Sequence, residues 1–284
     1  MKDIYFVSFY TKGDGCFDLS SIVDKIKIEL TSHFKKMFFY NKEDLKKLPN
    51  SEDICNYYQE PLDLTYFPNA HKIGYLDWKP FIIKHTLKQI PENSILLYHD
   101  VNFEKYQNYW QSDWEKIYEF CDSMMVENES DFWMKFELFD YYLKKSAKTY
   151  TIDMLFEDLE QREIVKNSLQ LNAGQIIMRN TEKTRTFIDE WLELCRDKTL
   201  IGPMPNPNRH ADSEIIGCGD QDPMNCLIYK YIFEGKLKPT FPKYGLHYRV
   251  LRRDKIHFMM NDLHCETGPY ELINHELINY LKNK

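Results

Sequence analysis

The sequence predicts an α/β fold whose sheet is mixed but mainly parallel and flanked by helices. Two observations predict it. The first fifty residues alternate strand-like and helix-like patterns in the order β-α-β-α, which is how a parallel sheet covered by helices reads. Further on, the apolar run Ser94 to Tyr98 stops abruptly at the polar segment His99-Asp-Val-Asn102, as a buried strand does where it leaves a sheet.

Each element has a local reason. Ile4 to Phe9 is a short apolar, aromatic-rich strand, and Thr11-Lys-Gly-Asp-Gly15 is the loop that ends it. Ser20 or Ser21 is placed to cap a helix whose apolar positions Ile22, Val23, Ile26 and Leu30 have helical spacing. Lys36 to Tyr40 is a second strand, and Asn41 caps a short helix from Lys42 to Leu48. Residues 50 to 73 are loop-rich, with Pro61 and Pro68. Trp78 to Ile90 reads as a helix entered through Lys79-Pro80, because proline is well tolerated in a first turn. Pro91-Glu-Asn93 is a turn, and residues 110 to 160 are mostly helical in composition. Asn172-Ala-Gly174 reads as small residues just before the strand-like Ile176 to Met178, and Asn180-Thr-Glu182 opens a helix over Thr184 to Arg196. Gly202 to Gly219 is a long polar connection, Asp222 to Phe233 a helix, Leu237 to Tyr248 a short strand and turn, and Tyr270 to Leu281 an amphipathic helix. No repeat, low-complexity segment or linker interrupts the chain, which favours one domain.

Composition narrows the function classes. A formal net charge of -7 gives no bulk attraction to nucleic acid or to anionic membrane. Seven cysteines at irregular spacing, without a CxxC pair, argue against a disulfide framework and against a structural zinc site. The first residues run straight into a strand, and no apolar run is long enough to span a bilayer, so the expectation is a cytoplasmic protein with free thiols. Aromatic residues reach 15%, which suits core packing and also suits a chain that stacks planar or sugar-like ligands.

Four segments can carry chemistry. In Tyr98-His-Asp-Val-Asn102, Asp100 and Asn102 stand two residues apart at the end of a strand, where both can turn onto one divalent cation; taken alone, the segment is better accounted for by a plain strand-end turn. Gly219-Asp-Gln-Asp-Pro-Met-Asn225 starts a helix. Capping explains an acid there, whereas Asp220 and Gln221 can also grip sugar hydroxyls. Gly74-Tyr-Leu-Asp-Trp-Lys-Pro-Phe81 sets Trp78 and Lys79 where they either pack a helix start or meet a nucleotide and its phosphates. Leu171-Asn-Ala-Gly174 offers a close backbone approach or a tight turn. Among nine histidines, His247, in Gly245-Leu-His-Tyr-Arg249, is the choice for a third cation ligand; no HExxH is present, so a zinc protease is excluded.

In this order the segments resemble GT-A glycosyltransferases. Gly74-Tyr-Leu-Asp-Trp-Lys-Pro80 is similar to a GYxxWKP stretch of uncharacterised bacterial and viral glycosyltransferase-like proteins, and Tyr98 to Asn102 sits where such enzymes carry an aspartate motif. Asn172-Ala-Gly174 and Asp220-Gln-Asp222 with Asn225 resemble elements of the glycogenin and lipopolysaccharide galactosyltransferase family.

The resemblance implies a single GT-A, Rossmann-like domain over 1–284, its nucleotide-binding part about 1–105 and its acceptor and donor-sugar part about 106–284. It implies a UDP-sugar or similar donor touching Ser8, Phe9, Tyr10, Trp78, Lys79, Asp100, Asn172, Ala173 and Gly174. Mn²⁺ or Mg²⁺ would be held by Asp100, Asn102 and His247, with Asn102 a neutral ligand in place of the usual second acid. Asp220 would hold donor-sugar hydroxyls and Gln221 would support the anomeric carbon in a retaining transfer to a glycan, lipid-linked or protein hydroxyl. Asp77 inside the Trp-Lys-Pro stretch is a specificity residue or a surface one. The alternatives are a sugar-nucleotide-binding protein of the same fold without turnover and a nucleotidyltransferase, for which Lys12-Gly-Asp-Gly15 is a poor phosphate loop.

Overall fold

The computed structural model describes residues 3–12, 18–51, 54, 77–101, 118, 121–122, 131–136, 142–147, 149–168, 170–201, 219–237, 249–252, 255–258 and 275–283. In chain order the first elements are β1 (Ile4–Phe9), α1 (Ser20–Leu30), β2 (Lys36–Tyr40), α2 (Lys42–Leu45), α3 (Trp78–Leu87), β3 (Ile95–His99) and β4 (Phe132–Phe136). Then come α4 (Leu143–Ser146), α5 (Thr149–Leu155), α6 (Leu159–Lys166), β5 (Leu171–Arg179), α7 (Glu182–Arg196), α8 (Lys198–Ile201) and α9 (Gln221–Phe233). The last are β6 (Arg249–Arg252), β7 (Lys255–Phe258) and α10 (His275–Lys282).

The α/β class is as expected: a mixed, mainly parallel sheet with helices around it. Its strand order is β2-β1-β3-β5-β4, and β6 pairs with β7 in a separate antiparallel ladder. β1 runs parallel to both neighbours, in register Tyr5↔Lys36 to Phe9↔Tyr40 on one side and Ile4↔Ile95 to Val7↔Tyr98 on the other. β5 is antiparallel to β3, from Ile95↔Arg179 to His99↔Gln175. Every residue of β1 and β3 is buried, which is why both read as continuous apolar runs and not as alternating ones. The chain leaves β1 for β2 on one flank and later returns to β3 on the other, so the carboxyl ends of β1 and β3 open at a topological switch point.

The local chemistry of the helix ends is partly as expected. Asn41 builds a capping box on α2: its Oδ1 accepts from the Glu43 and Asp44 amides at 2.9 and 3.1 Å, and its own amide donates to Asp44 Oδ2 at 3.2 Å. Neither Ser20 nor Ser21 is the cap: Leu19 holds that position without a side-chain capping bond, Ser20 is already the first helical residue, and Asp18 Oδ1 accepts the Ser20 amide at 2.9 Å. The apolar positions Ile22, Val23, Ile26 and Leu30 are the buried face of α1. α3 ends at Leu87, short of Ile90. Asn180 Nδ2 donates to the carbonyls of Leu87, Ile90 and Pro91 at 3.0, 2.9 and 3.0 Å, so the acceptors at the helix end are met without a further turn.

One expectation is refined and one corrected. Within the mostly helical stretch from 110 to 160, Phe132–Phe136 is a strand of the sheet; its aromatic content suits a pleated, half-buried surface. Asn172-Ala-Gly174 does not stand before the strand. It lies inside β5, whose first backbone groups at Leu171 are both claimed by Asn225 and whose Gly174 carbonyl accepts the Asp100 amide at 2.9 Å.

The chain divides into two compact units, residues 1–134 with 173–203, and residues 135–172 with 204–284. In the first, α3 packs on β1 and on α7, where Phe187, Ile188, Trp191 and Leu192 form the buried stripe and Lys84 pairs with Asp189 at 2.7 Å. In the second, α9 packs against α5 and α6 and is buried without a break from Gln221 to Tyr229, so it is a core helix and not an amphipathic surface one. Phe233 meets Phe156 and Tyr280 edge-on, with ring centroids 5.8 and 5.1 Å apart, and the Tyr280 hydroxyl accepts from Gln161 Nε2 at 2.8 Å, which fixes α10 to this unit. Gly235 closes α9 at φ 68, the left-handed geometry glycine adopts most cheaply. No helix among the described residues is long and apolar enough to cross a membrane.

Candidate functional site

The switch point gathers one cluster within the first unit. Phe9 ends β1, and Trp78 stacks on it with centroids 4.1 Å apart and planes inclined by 24°. Both rings are buried, so this stack is a floor, with the Phe9-facing side of the indole already taken. The next residue, Lys79, lies in the first turn of α3, beside the sheet end. Its Nζ is 5.4 Å from the Tyr98 ring centroid, 6.0 Å from the Trp78 ring and 4.0 Å from Asp100 Oδ1. The Lys79 side chain is only 4% exposed, while that of Asp100 is 21% exposed. A buried ammonium therefore faces a carboxylate that still reaches solvent.

Asp100 is held from several directions. The Tyr98 hydroxyl donates to its Oδ1. Its amide donates to the Gly174 carbonyl at 2.9 Å, and its own carbonyl accepts from His99 Nδ1 at 2.8 Å, which sets that ring's proton on Nδ1. Ser8 sends its hydroxyl to the His99 carbonyl, fastening β1 to the end of β3. Tyr98 and His99 were not singled out by sequence. The i, i+2 spacing of Tyr98 and Asp100 on an extended segment puts them on one face, and that signal would have found Tyr98.

The expected donor-binding residues divide accordingly. Phe9, Trp78, Lys79, Asp100 and Gly174 come together at the end of β1 and β3. Ser8 is there too, fully buried, and its hydroxyl is used inside the sheet. Tyr10 is turned to α2: its hydroxyl accepts from Asn41 Nδ2 at 3.0 Å. Ala173 is buried within β5, and Asn172 is half-buried in the second unit. Asp77 is 1% exposed, so the reading of it as a surface residue is overturned.

Asp220 and Gln221 belong to the second unit. Asp220 precedes α9, is fully buried and makes no side-chain capping hydrogen bond, so helix capping does not explain it. Its neighbours do have structural tasks. Asp222 Oδ1 accepts from Gln170 Nε2 at 3.0 Å. Asn225 accepts the Leu171 amide at 2.6 Å and donates to the carbonyls of Leu171 and Gln221 at 2.9 and 2.8 Å. The helix start is thereby clasped to the residues just before Asn172.

Of the expected cation ligands, Asn102 and His247 lie outside the described residues, as do Gly74 to Leu76 and the connection from Gly202 to Cys218. Among the described residues no three acids, histidines or cysteines gather closely enough to hold a metal ion. Asp100 by itself fits part of such a site. A hard divalent cation is commonly held by one or two carboxylates together with substrate phosphates and water, and the Asp100 carboxylate is part-exposed, with Oδ1 engaged by Tyr98.

No protein-family model matches the chain, and no curated protein and no solved structure matches it.

Proposed function

We propose that the chain is a nucleotide-sugar glycosyltransferase of the GT-A type, taking a UDP-sugar or similar donor and transferring the sugar, with retention, to a hydroxyl acceptor. One observation carries the reading: a buried lysine faces a part-exposed aspartate at the switch point between β1 and β3. Ligands of open α/β sheets bind at that place. An ammonium suits a diphosphate, and a carboxylate suits the divalent cation that would accompany it. The order of the glycosyltransferase-like motifs along the chain supports the same reading.

In this proposal Lys79 binds diphosphate oxygens, and Asp100 is a ligand of Mn²⁺ or Mg²⁺, which when bound would offset charge on the departing diphosphate. The glycosidic carbon loses its bond to the diphosphate oxygen and gains one to the acceptor oxygen, and the acceptor proton passes to the leaving diphosphate. Asp220 and Gln221 keep the roles the resemblance implies, hydroxyl binding and support of the anomeric centre. Gln is too poor a nucleophile for a covalent intermediate.

The test is a panel of nucleotide sugars with and without Mn²⁺, read by release of nucleoside diphosphate, on the wild type and on Asp100→Ala. Asp100→Ala is expected to abolish release while leaving the circular dichroism spectrum unchanged. Near-wild-type turnover in that variant removes Asp100 from the site, and tight nucleotide-sugar binding without release by the wild type replaces the enzyme with a binding protein. An NMR-detected product of inverted configuration would reject the retaining course.

A further inference from the structure

We infer that the α5–α6 face of the second unit is an interface to a second copy of this chain, and that the basic stretch Arg249 to Lys255 of that copy is its occupant; the inference stands apart from the glycosyltransferase reading. Among the described residues four large apolar side chains stand exposed, and three of them fall within ten positions: Tyr150 at 37%, Met154 at 42% and Leu159 at 73%. Helix geometry strings them along one strip. Tyr150, Asp153 and Met154 are i, i+3 and i+4 on α5, and Leu159 stands three positions before Arg162 on α6. Arg162 joins the two helices: its Nη1 meets Asp153 Oδ1 at 3.3 Å, and its Nε and Nη2 donate to the Phe156 and Asp153 carbonyls at 2.6 and 3.3 Å. Single exposed apolar residues are ordinary on a protein surface, whereas several on one strip mark a contact.

The strip is acidic. From Asp153 to Glu163 the chain carries five acids and one base, and that base is Arg162, already bound to Asp153. Glu163 pairs with Lys166 at 2.7 Å. Glu157, Asp158 and Glu160 remain exposed around Leu159. An occupant must then be apolar and basic together, and this chain contains such a stretch. Arg249 to Lys255 has four bases in seven positions against Asp254 alone, with Val250 and Leu251 among them. Its strands β6 and β7 form, among the described residues, a ladder of two strands, and such a pair is marginal in water until something packs on it. The register also sets Arg252 directly opposite Lys255, a like-charge pair that lowers stability until an acid meets it. Acidic helices with exposed apolar side chains answer both needs. Each copy carries the helical strip and the basic stretch, so two copies exchange the contact reciprocally about a two-fold axis, and the assembly closes at a dimer.

The test is sedimentation velocity of the full chain over a range of concentrations, at low and at high salt, with circular dichroism as the check on folding. The wild type is expected to pass from monomer to dimer as concentration rises, and to do so less readily at high salt, because exposed charges are screened. Leu159→Lys sets a like charge against the basic stretch and is expected to weaken the dimer at least about tenfold. Arg252→Glu with Arg253→Glu, and separately Glu157→Lys with Glu160→Lys, are expected to do the same, while all four changes together restore dimerisation. Rescue by exchange of charge is something a variant that merely loosened the fold would not give. A wild type that stays monomeric at every concentration overturns the inference. So does a dimer that none of these variants weakens, or one that the combined exchange fails to restore. If the chain with Arg252→Glu and Arg253→Glu does not fold, the helical variants decide: loss of the dimer in both keeps the inference, and persistence in either ends it. The readout is mass, so a failure of sugar transfer leaves the result untouched.

Discussion

Asn225 offers the sharpest test of how the second unit is held together. Its amide makes three hydrogen bonds, accepting from the Leu171 N–H at 2.6 Å and donating to the carbonyls of Leu171 and Gln221 at 2.9 and 2.8 Å. Asn225 is fully buried, and Leu171 is half-buried. Replacing Asn225 with Ala leaves the Leu171 amide and carbonyl without their partner. A buried polar group that loses its partner costs about 1–3 kcal/mol, and partial access of water to Leu171 puts the sum at the lower end, about 2–4 kcal/mol. The Gln221 carbonyl adds little, because it sits one helical turn back and keeps its place in the helix ladder. Urea denaturation followed by circular dichroism should show the midpoint lowered with the slope unchanged. Hydrogen exchange should show the Leu171 amide losing more protection than amides in β1. A loss below about 0.5 kcal/mol, within the range of ordinary surface substitutions, together with unchanged exchange at Leu171, would refute the clasp.

Other predictions concern titration and reactivity. Burial, followed by the charge of Lys88, holds the His85 imidazole below its usual value of 6.5, only partly offset by a hydrogen bond with the Pro49 backbone. The unfolded chain then takes up that proton more readily than the folded one. Stability is fully present above about pH 6.5 and falls as pH drops below it; His85→Gln should flatten the urea midpoint between pH 7 and pH 5.5, and an unchanged slope would exclude His85 as the cause. Burial pushes the Cys226 thiol well above its usual value, helped by the nearby Asp222 carboxylate, and burial likewise pushes up Cys121. With Cys195 also buried, these three should resist iodoacetamide in the native protein and react once it is unfolded, as mapped by mass spectrometry.

The parts of the fold that sequence made legible are those governed by local periodicity. Ile22, Val23, Ile26 and Leu30 mark the buried face of α1 because a helix can bury only what recurs on its 3.6-residue repeat. β1 and β3 were legible because strands buried on both faces must be apolar throughout. The residues of Asn172-Ala-Gly174 were placed ahead of the strand because small residues carry little strand preference. What makes them a strand is tertiary: hydrogen bonds to Asp100 and the hold of Asn225 on Leu171. The same separation hid part of the candidate site. Trp78, Lys79 and Asp100 were visible as residue types, but the ion pair between Lys79 and Asp100 depends on α3 packing against β1 and no spacing announces it. Asn225 was visible only as part of a family-like motif, and its structural task was hidden because its partner lies 54 positions away.

The register of β1 also sets a schedule for folding on the ribosome. Its six buried residues are synthesised before either neighbour, yet one flank is covered by β2 within about thirty residues while the other waits for Ile95 to Tyr98. At roughly 5–20 residues per second of synthesis, that leaves an apolar hairpin-less edge open for several seconds or longer. β3 in turn waits for Ile176 to Arg179 to arrive on its far side. A nascent chain arrested between the appearance of β2 and β3 would expose Ile4, Phe6 and their neighbours as a ready template for pairing with other chains, so the demand for chaperones falls between the synthesis of β2 and that of β3, before the candidate site exists.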